Sequence, residues 1–397
     1  MTSLRSTYGR LLEAPHARSL LAWPVIARLP LGMTAFGLVL LVRAEGGGYA
    51  AAGAVAAAFG LAISVGSPIS GRLVDRRGAR RILVTRAVLF PSLLLGVVVL
   101  SLFDAPIAAL GVTAALAGLT IPPIAPTVRS IWPRLVADDL RGVAYSVEAT
   151  VQELIWVVGP LLAAALCAVH PAAGVACAAL ACAIGTTMFA RLPPVRELTG
   201  STHERHPLGP LTEPGIRVVM WFALALGIGF GMVEVSMPAF AEEHGARELG
   251  GLALAFFAVG SLTGGILGGL RPTRDPVRRL LVSGPLVAIG MLLFSAAWSL
   301  PSLYLLAIIA GLPITLAVAS VYGVLDRIAP PGTTAEAFAW FGTAVGLGIA
   351  AGFAVGGSLA ESVGVEWAFA LAPLLAGAGS LPLLLRRTAL AARPAPV

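Results

Sequence analysis

Apolar residues in this chain gather in runs of about 20, the length an α-helix needs to cross a bilayer. Short polar intervals separate them. Twelve runs are read from the sequence, at residues 20–42, 49–70, 82–103, 106–128, 143–168, 171–190, 216–240, 249–270, 279–300, 302–324, 335–360 and 365–385. The longest polar interval, Arg191 to Gly215, is rich in Pro, Arg, Glu and His and reads as a linker. The predicted architecture is an all-α integral membrane protein: residues 1–190 form one six-helix bundle, 191–215 the linker and 216–397 a second six-helix bundle.

Composition agrees with the pattern. Only 12% of the 397 residues are charged and 57% are hydrophobic, with a mean hydropathy of +0.90; a soluble domain carries roughly 25% charged residues. The net charge of +7 does not indicate nucleic-acid binding, because the basic residues sit in short loops beside the spans. All 27 of them are arginine. With the N-terminus placed in the cytoplasm, every arginine except Arg43, Arg247 and the intramembrane Arg28 falls on the cytoplasmic side, Arg129 included. This is the positive-inside pattern, and it predicts a multi-pass protein of the cell (inner) membrane with both termini cytoplasmic. Acids occupy the outer loops instead: Glu45, Asp104, Glu242, Glu243, Glu248, Glu361 and Glu366. Trp23, Trp132, Trp221, Trp298 and Trp367 read as interfacial anchors. Met1 to Arg18 is polar and basic without a small-residue cleavage site, and so reads as a cytoplasmic tail. Cys167, Cys177 and Cys182 fall in apolar spans as small hydrophobes, and no metal or cofactor is expected.

The two halves resemble each other. A shift of 198 residues lays Gly269, Arg274, Arg278 and Arg279 onto Gly71, Arg76, Arg80 and Arg81, with Thr273 at the place of Asp75 and Pro276 at that of Gly78. A shift of 193 lays Arg327 and Gly352 onto Arg134 and Gly159. A six-plus-six duplication suits two bundles that rock about a site between them.

Between runs two and three lies Gly-x-x-x-Asp-Arg-x-Gly-x-Arg-Arg, formed by Gly71, Asp75, Arg76, Gly78, Arg80 and Arg81. It resembles the signature loop of the major facilitator superfamily, and twelve spans with a central linker fit the same resemblance. The resemblance implies two pseudo-symmetric bundles working by alternating access, with this loop as a latch on the cytoplasmic side. Asp75 would then face the N-terminus of span eleven, where a helix dipole favours an anion and where Thr333-x-x-Glu336 reads as a capping box. Asp75 can instead neutralise its own arginines. In span five, Gly159-Pro160-Leu-Leu-Ala-Ala is similar to the Gly-Pro-x-x-Gly-Gly bend motif of drug-efflux antiporters. It lacks that motif's last two glycines and carries Ile155 where a further glycine stands, and helix packing accounts for it as well. The arginine those antiporters carry early in span four would here be Ala114.

Ionisable groups within the runs are few: Arg28 in span one, Glu148 and Glu153 in span five, and Glu234 in span seven. Each is costly in a membrane and normally faces a cavity or a partner. Arg28 and Glu153 lie at similar depth by residue count, and an ion pair between them is expected. Glu148 and Gln152 share a helix face near the inner rim, with a gating role or a substrate contact. Glu234 reads as a proton site, a substrate counter-ion or a group reaching the outer interface. Trp156, Tyr322, Phe338, Trp340 and Phe341 can line a cavity and would suit a lipophilic or cationic compound; packing is the alternative.

The expected function is a secondary transporter, proton-coupled, exporting a small organic compound and working as a monomer. Uptake of a sugar or other metabolite is the alternative, disfavoured by the scarcity of carboxamides in the spans. Nothing suggests ATP hydrolysis, since there is no Gly-x-x-x-x-Gly-Lys-Ser/Thr loop; a membrane-embedded enzyme is remote, because the acidic pair Asp138-Asp139 at the inner face has no histidine beside it, and a non-transporting receptor is equally remote.

Overall fold

The computed structural model describes residues 4–47, 49–200, 208–246, 249–270 and 275–390. Arg205 in the linker, Arg247, Glu248, Arg393 and the echo positions Arg271, Thr273 and Arg274 lie outside them.

Twelve helices are long and apolar enough to cross a membrane, and the described residues contain no strand. In the first half these are span one (Ala17–Ala44), span two (Tyr49–Arg77), span three (Ala79–Leu102), span four (Ile107–Leu119 continuing as Ile124–Leu135), span five (Asp138–Val169) and span six (Ala173–Ala190). In the second half they are span seven (Pro214–Glu243), span eight (Gly250–Leu270), span nine (Pro276–Leu292), span ten (Leu300–Ile328), span eleven (Thr334–Ser362) and span twelve (Val365–Leu385).

Several helices outrun the apolar runs that announced them, mostly at the arginine-rich end. Span two continues to Arg77, span four to Leu135 and span ten to Ile328, while span five starts at Asp138. Hydropathy marks where a helix leaves the apolar layer, whereas the helix itself stops only where its backbone hydrogen bonds do. Span four is broken at Thr120–Pro123, where two prolines withhold N–H donors. The carbonyl freed at Leu119 accepts a 2.9 Å hydrogen bond from Arg86 Nη1 on span three.

Within each half, glycines make close helix crossings. Gly32 of span one faces Gly159 of span five, where an added Cβ on Gly159 would stand 2.5 Å from the Gly32 Cα. Ile155, the departure from the bend motif, presents its carbonyl to Gly32, so the small residue stands on the partner helix. Span five runs unbroken through Pro160. In the second half Gly231 faces Gly352, and Gly227 faces Gly348, between spans seven and eleven. Gly159 and Gly352 are the pair brought together by the 193-residue shift, and both seat a backbone-to-backbone contact that membrane helices reach only through small residues.

Ahead of span one, the helix Leu4–Glu13 lies across both halves at the arginine-rich end. Leu11 is fully buried, and Arg10 pairs with Asp139 of span five at 2.8 Å. Tyr8 reaches the second half, its hydroxyl donating to the Ile266 carbonyl of span eight at 2.8 Å. Burial pushes the Tyr8 phenol up, with Arg279 opposing, so the hydroxyl stays a donor.

Candidate functional site

The loop Gly71–Arg81 joins the halves at the arginine-rich end. Gly71 lies against the backbone of Ala335 and Glu336 and the Ala339 side chain of span eleven, with no room for a Cβ. Asp75 accepts hydrogen bonds from the backbone N–H of Glu336 at 2.8 Å and of Ala335 at 3.3 Å. It thus caps the N-terminus of span eleven from the other half of the protein. The expected capping box does not form. The Thr333 hydroxyl donates to the Pro330 carbonyl at 2.8 Å, and the Glu336 carboxylate is drawn to Arg72 at 2.6 Å. Arg72 was not singled out by the motif. Arg76, Arg80 and Arg81, which belong to it, are exposed. Gly78 adopts φ 83° at the reversal into span three, a conformation glycine enters without strain. In the echo, Asp275 caps its own helix by accepting from Arg278 N at 3.0 Å.

An N-cap carboxylate contributes about 0.5–2 kcal/mol, or roughly 2- to 30-fold in an equilibrium. Asp75→Ala should therefore raise the alkylation rate of a cysteine placed at Ala339, in a background without the native cysteines, by about that factor. Ala339 is buried against Gly71. An unchanged rate would remove Asp75 from the closing contact.

Deeper in, the first half holds a buried charge layer. Arg28 does not pair with Glu153. Its Nε donates to the Pro24 carbonyl at 3.1 Å, and its Nη1 meets Glu148 Oε2 at 2.9 Å, both side chains being almost wholly buried. The reason is geometric. A helical side chain points back toward its own N-terminus, which carries the guanidinium toward the arginine-rich end. Span five also begins earlier than its apolar run, so Arg28 lies eleven residues beyond Ala17 and Glu148 ten beyond Asp138. The other oxygen of Glu148 accepts from Trp132 Nε1 at 3.5 Å. Trp132 is completely buried and is not an interfacial anchor.

Arg129 belongs to this layer and not to a cytoplasmic loop. It is 4% exposed because span four continues past it, and its guanidinium sits 3.9 Å from the centroid of the Tyr322 ring on span ten. That contact crosses between the halves. Tyr322 in turn packs edge-on to Phe338 and Phe341 of span eleven, and Tyr145 of span five meets both Tyr322 and Phe338. These rings form a packed plug: Tyr145, Tyr322, Phe338 and Phe341 are all buried, with Tyr145 also at the edge of a cavity. Tyr322 already has a cation on its face, which withdraws the argument from aromatic lining to a cationic cargo. Trp340 is half-buried, with its indole N–H unpartnered, and Trp156 is exposed. Beyond the plug, Arg141 pairs with Asp138 at 3.0 Å and reaches Asp326 of span ten at 3.8 Å. These groups border a cavity of about 290 Å³ at the arginine-rich end.

Glu153 and Gln152 are half-buried on span five, and Glu153 lies within electrostatic reach of Glu234 on span seven. The two acids thus approach from opposite halves, while Glu148 is paired with Arg28. Farther toward the arginine-rich end than Glu153, Thr343 of span eleven donates to the Ser64 carbonyl of span two at 2.9 Å, another cross-half bond. Among the described residues there is no cluster of three or more potential metal ligands. Sequence reasoning missed Arg129, Trp132, Tyr145, Asp326 and Arg72 as members of this arrangement. The three-residue spacing of Arg129 and Trp132 on one helix face is the signal that was present.

The Major Facilitator Superfamily model matches the chain over residues 24–295 and again over 220–397. No curated protein matches it. Solved structures that share its fold include the human organic anion transporter MFSD10 (TETRAN), at 16% identity and a TM-score of 0.72 over 93% of this chain and 100% of that one. A bacterial homologue of the iron transporter ferroportin, in an outward-facing state, matches at 17% identity and a TM-score of 0.72 over 94% and 99% of the two chains. The proton:xylose symporter XylE, bound to 6-bromo-6-deoxy-D-glucose, matches at 15% identity and a TM-score of 0.70 over 93% and 95%. At these identities the likeness is one of fold.

Proposed function

The chain belongs to the major facilitator superfamily, and from that membership we propose that it is a secondary active transporter that exchanges protons for a small organic compound and exports it by alternating access. What supports this reading is that Glu153 lies within electrostatic reach of Glu234 across the halves, above a set of contacts that must part when the arginine-rich side opens. Glu153 has no arginine partner among the described residues, because Arg28 is committed to Glu148. An acid with no cation beside it, facing a second acid across a moving interface, is a place where a proton is taken up on one side and released on the other. Asp75, Arg72 and Gly71 act as the latch that holds the arginine-rich side shut. By the positive-inside pattern that side faces the cytoplasm, in the cell membrane, and the transporter works as a monomer.

The neighbours' printed cargoes are organic anions, iron and a sugar, so the fold names the machine and not the load. Flux in proteoliposomes under an imposed pH gradient, screened against a compound panel, tests the proposal. Glu153→Gln should abolish proton-driven flux while sparing substrate exchange without a gradient. Unchanged proton-driven flux in that variant would remove Glu153 from coupling.

A further inference from the structure

The charge layer at the plug does not balance. Two guanidiniums, Arg28 and Arg129, are more than nine-tenths buried beside a single carboxylate, Glu148. The described groups that act on Arg129 are Glu148, which attracts it, Arg28, which repels it, and the phenols of Tyr322 and Tyr145. Glu148 is already spent: one oxygen is held by Arg28 and the other by the Trp132 indole. Two donors are left over in the buried layer, Arg28 Nη2 and Arg129 Nε, neither with a hydrogen-bond partner.

What holds Arg129 is the face of Tyr322, and Tyr322 stands in the other half. Separation of the halves at the arginine-rich end removes that ring and leaves a guanidinium with no counter-ion at the wall of the opened space. Arg129 is six residues from the end of span four at Leu135, or roughly 9 Å at 1.5 Å per residue, within easy reach of a compound entering from that side. A planar guanidinium with free N–H groups matches a carboxylate, sulfonate or phosphate through paired, charge-assisted hydrogen bonds.

We propose that the transported compound carries an acidic group, and that Arg129, with Arg28 behind it, receives this group when the arginine-rich side opens. The proposal rests on the transporter reading above and names the chemical class of its cargo. The Tyr322 ring then acts as a stand-in: it covers the guanidinium when the site is closed and empty, and the cargo's acid replaces it when the site is open.

The test uses the full chain in proteoliposomes with a matched panel of aryl carboxylates, the corresponding amides and the corresponding amines. Thermal stabilisation of the detergent-solubilised protein by the same compounds gives a readout that does not depend on transport. Carboxylates should be moved and should stabilise the protein, with amides and amines inert. Arg129→Gln should raise the half-saturating carboxylate concentration at least tenfold, and Arg129→Lys should recover part of the loss. The glutamine variant removes an unpaired buried charge, so it should fold and melt no lower than the parent. Transport of amides or amines that Arg129→Gln leaves unchanged overturns the acidic cargo while the transporter reading stands. Carboxylate stabilisation that depends on Arg129, without flux of any compound, keeps the acid site and removes the transporter reading. No stabilisation by carboxylates in the parent protein overturns the acid site.

Discussion

Glu148→Gln should destabilise the protein by about 3–5 kcal/mol, the usual cost of stripping one partner from a buried ion pair. Arg28 is 1% exposed and Glu148 is fully buried, so neither water nor another described acid can take the place of the lost carboxylate. The substitution also removes the one acid that acts on Arg129, from a layer that already holds more guanidinium than carboxylate. The fall should appear as a lower melting temperature of the purified protein in detergent. Replacing the pair together, as Arg28→Met with Glu148→Leu, should recover most of the stability, because an apolar pair of similar size is often as stable as a buried ion pair. Transport should not recover with it if the layer serves the cargo. Melting of Glu148→Gln alongside the parent protein would show that the pair bears little of the fold.

The second large effect is expected where spans seven and eleven cross. A Cβ on Gly352 would stand 3.0 Å from the Gly231 Cα, and one on Gly348 2.9 Å from the Gly227 Cα, with backbone carbonyls closer still. Backbone cannot turn aside as a side chain can. Gly352→Val must therefore force the two helices apart, at about 1–3 kcal/mol or more, and should sharply lower the yield of folded protein. Gly342 sits on the same helix, where an added Cβ meets nothing within 4 Å. Gly342→Ala should be neutral or slightly stabilising, since alanine favours a helix over glycine by roughly 0.5–1 kcal/mol. Equal yields for the two variants in a size-exclusion profile would contradict the crossing.

Twelve spans, the duplication and the Gly71–Arg81 motif were legible in the sequence, because each depends on a local signal: a run of apolar residues, a shifted match, a spaced motif. The ion pair was not, although both partners were singled out. Choosing between Glu148 and Glu153 depended on where span five begins, and an apolar run places that start at 143 when the helix starts at Asp138. Five residues exceed one helical turn, enough to select the wrong acid. Arg129 was hidden for the same reason at the other boundary, since the apolar signal fades before span four ends. The cap on span eleven illustrates a different limit. Thr333 and Glu336 have the spacing of a local box, yet Asp75, 261 residues away from Glu336, supplies the acceptor. A contact made between halves has no signature in either half alone.

The Tyr8 hydroxyl and its acceptor at Ile266 are 258 residues apart. At the usual synthesis rate of about 5–20 residues per second, the tyrosine is added to the chain roughly 13–50 s before that carbonyl exists. The helix Leu4–Glu13 can meet Asp139 once span five is made, but its contact with the second half forms only when the eighth span is in place. Completion of its docking is a late event of biogenesis, and until then the Tyr8 hydroxyl stands open to whatever attends the nascent chain.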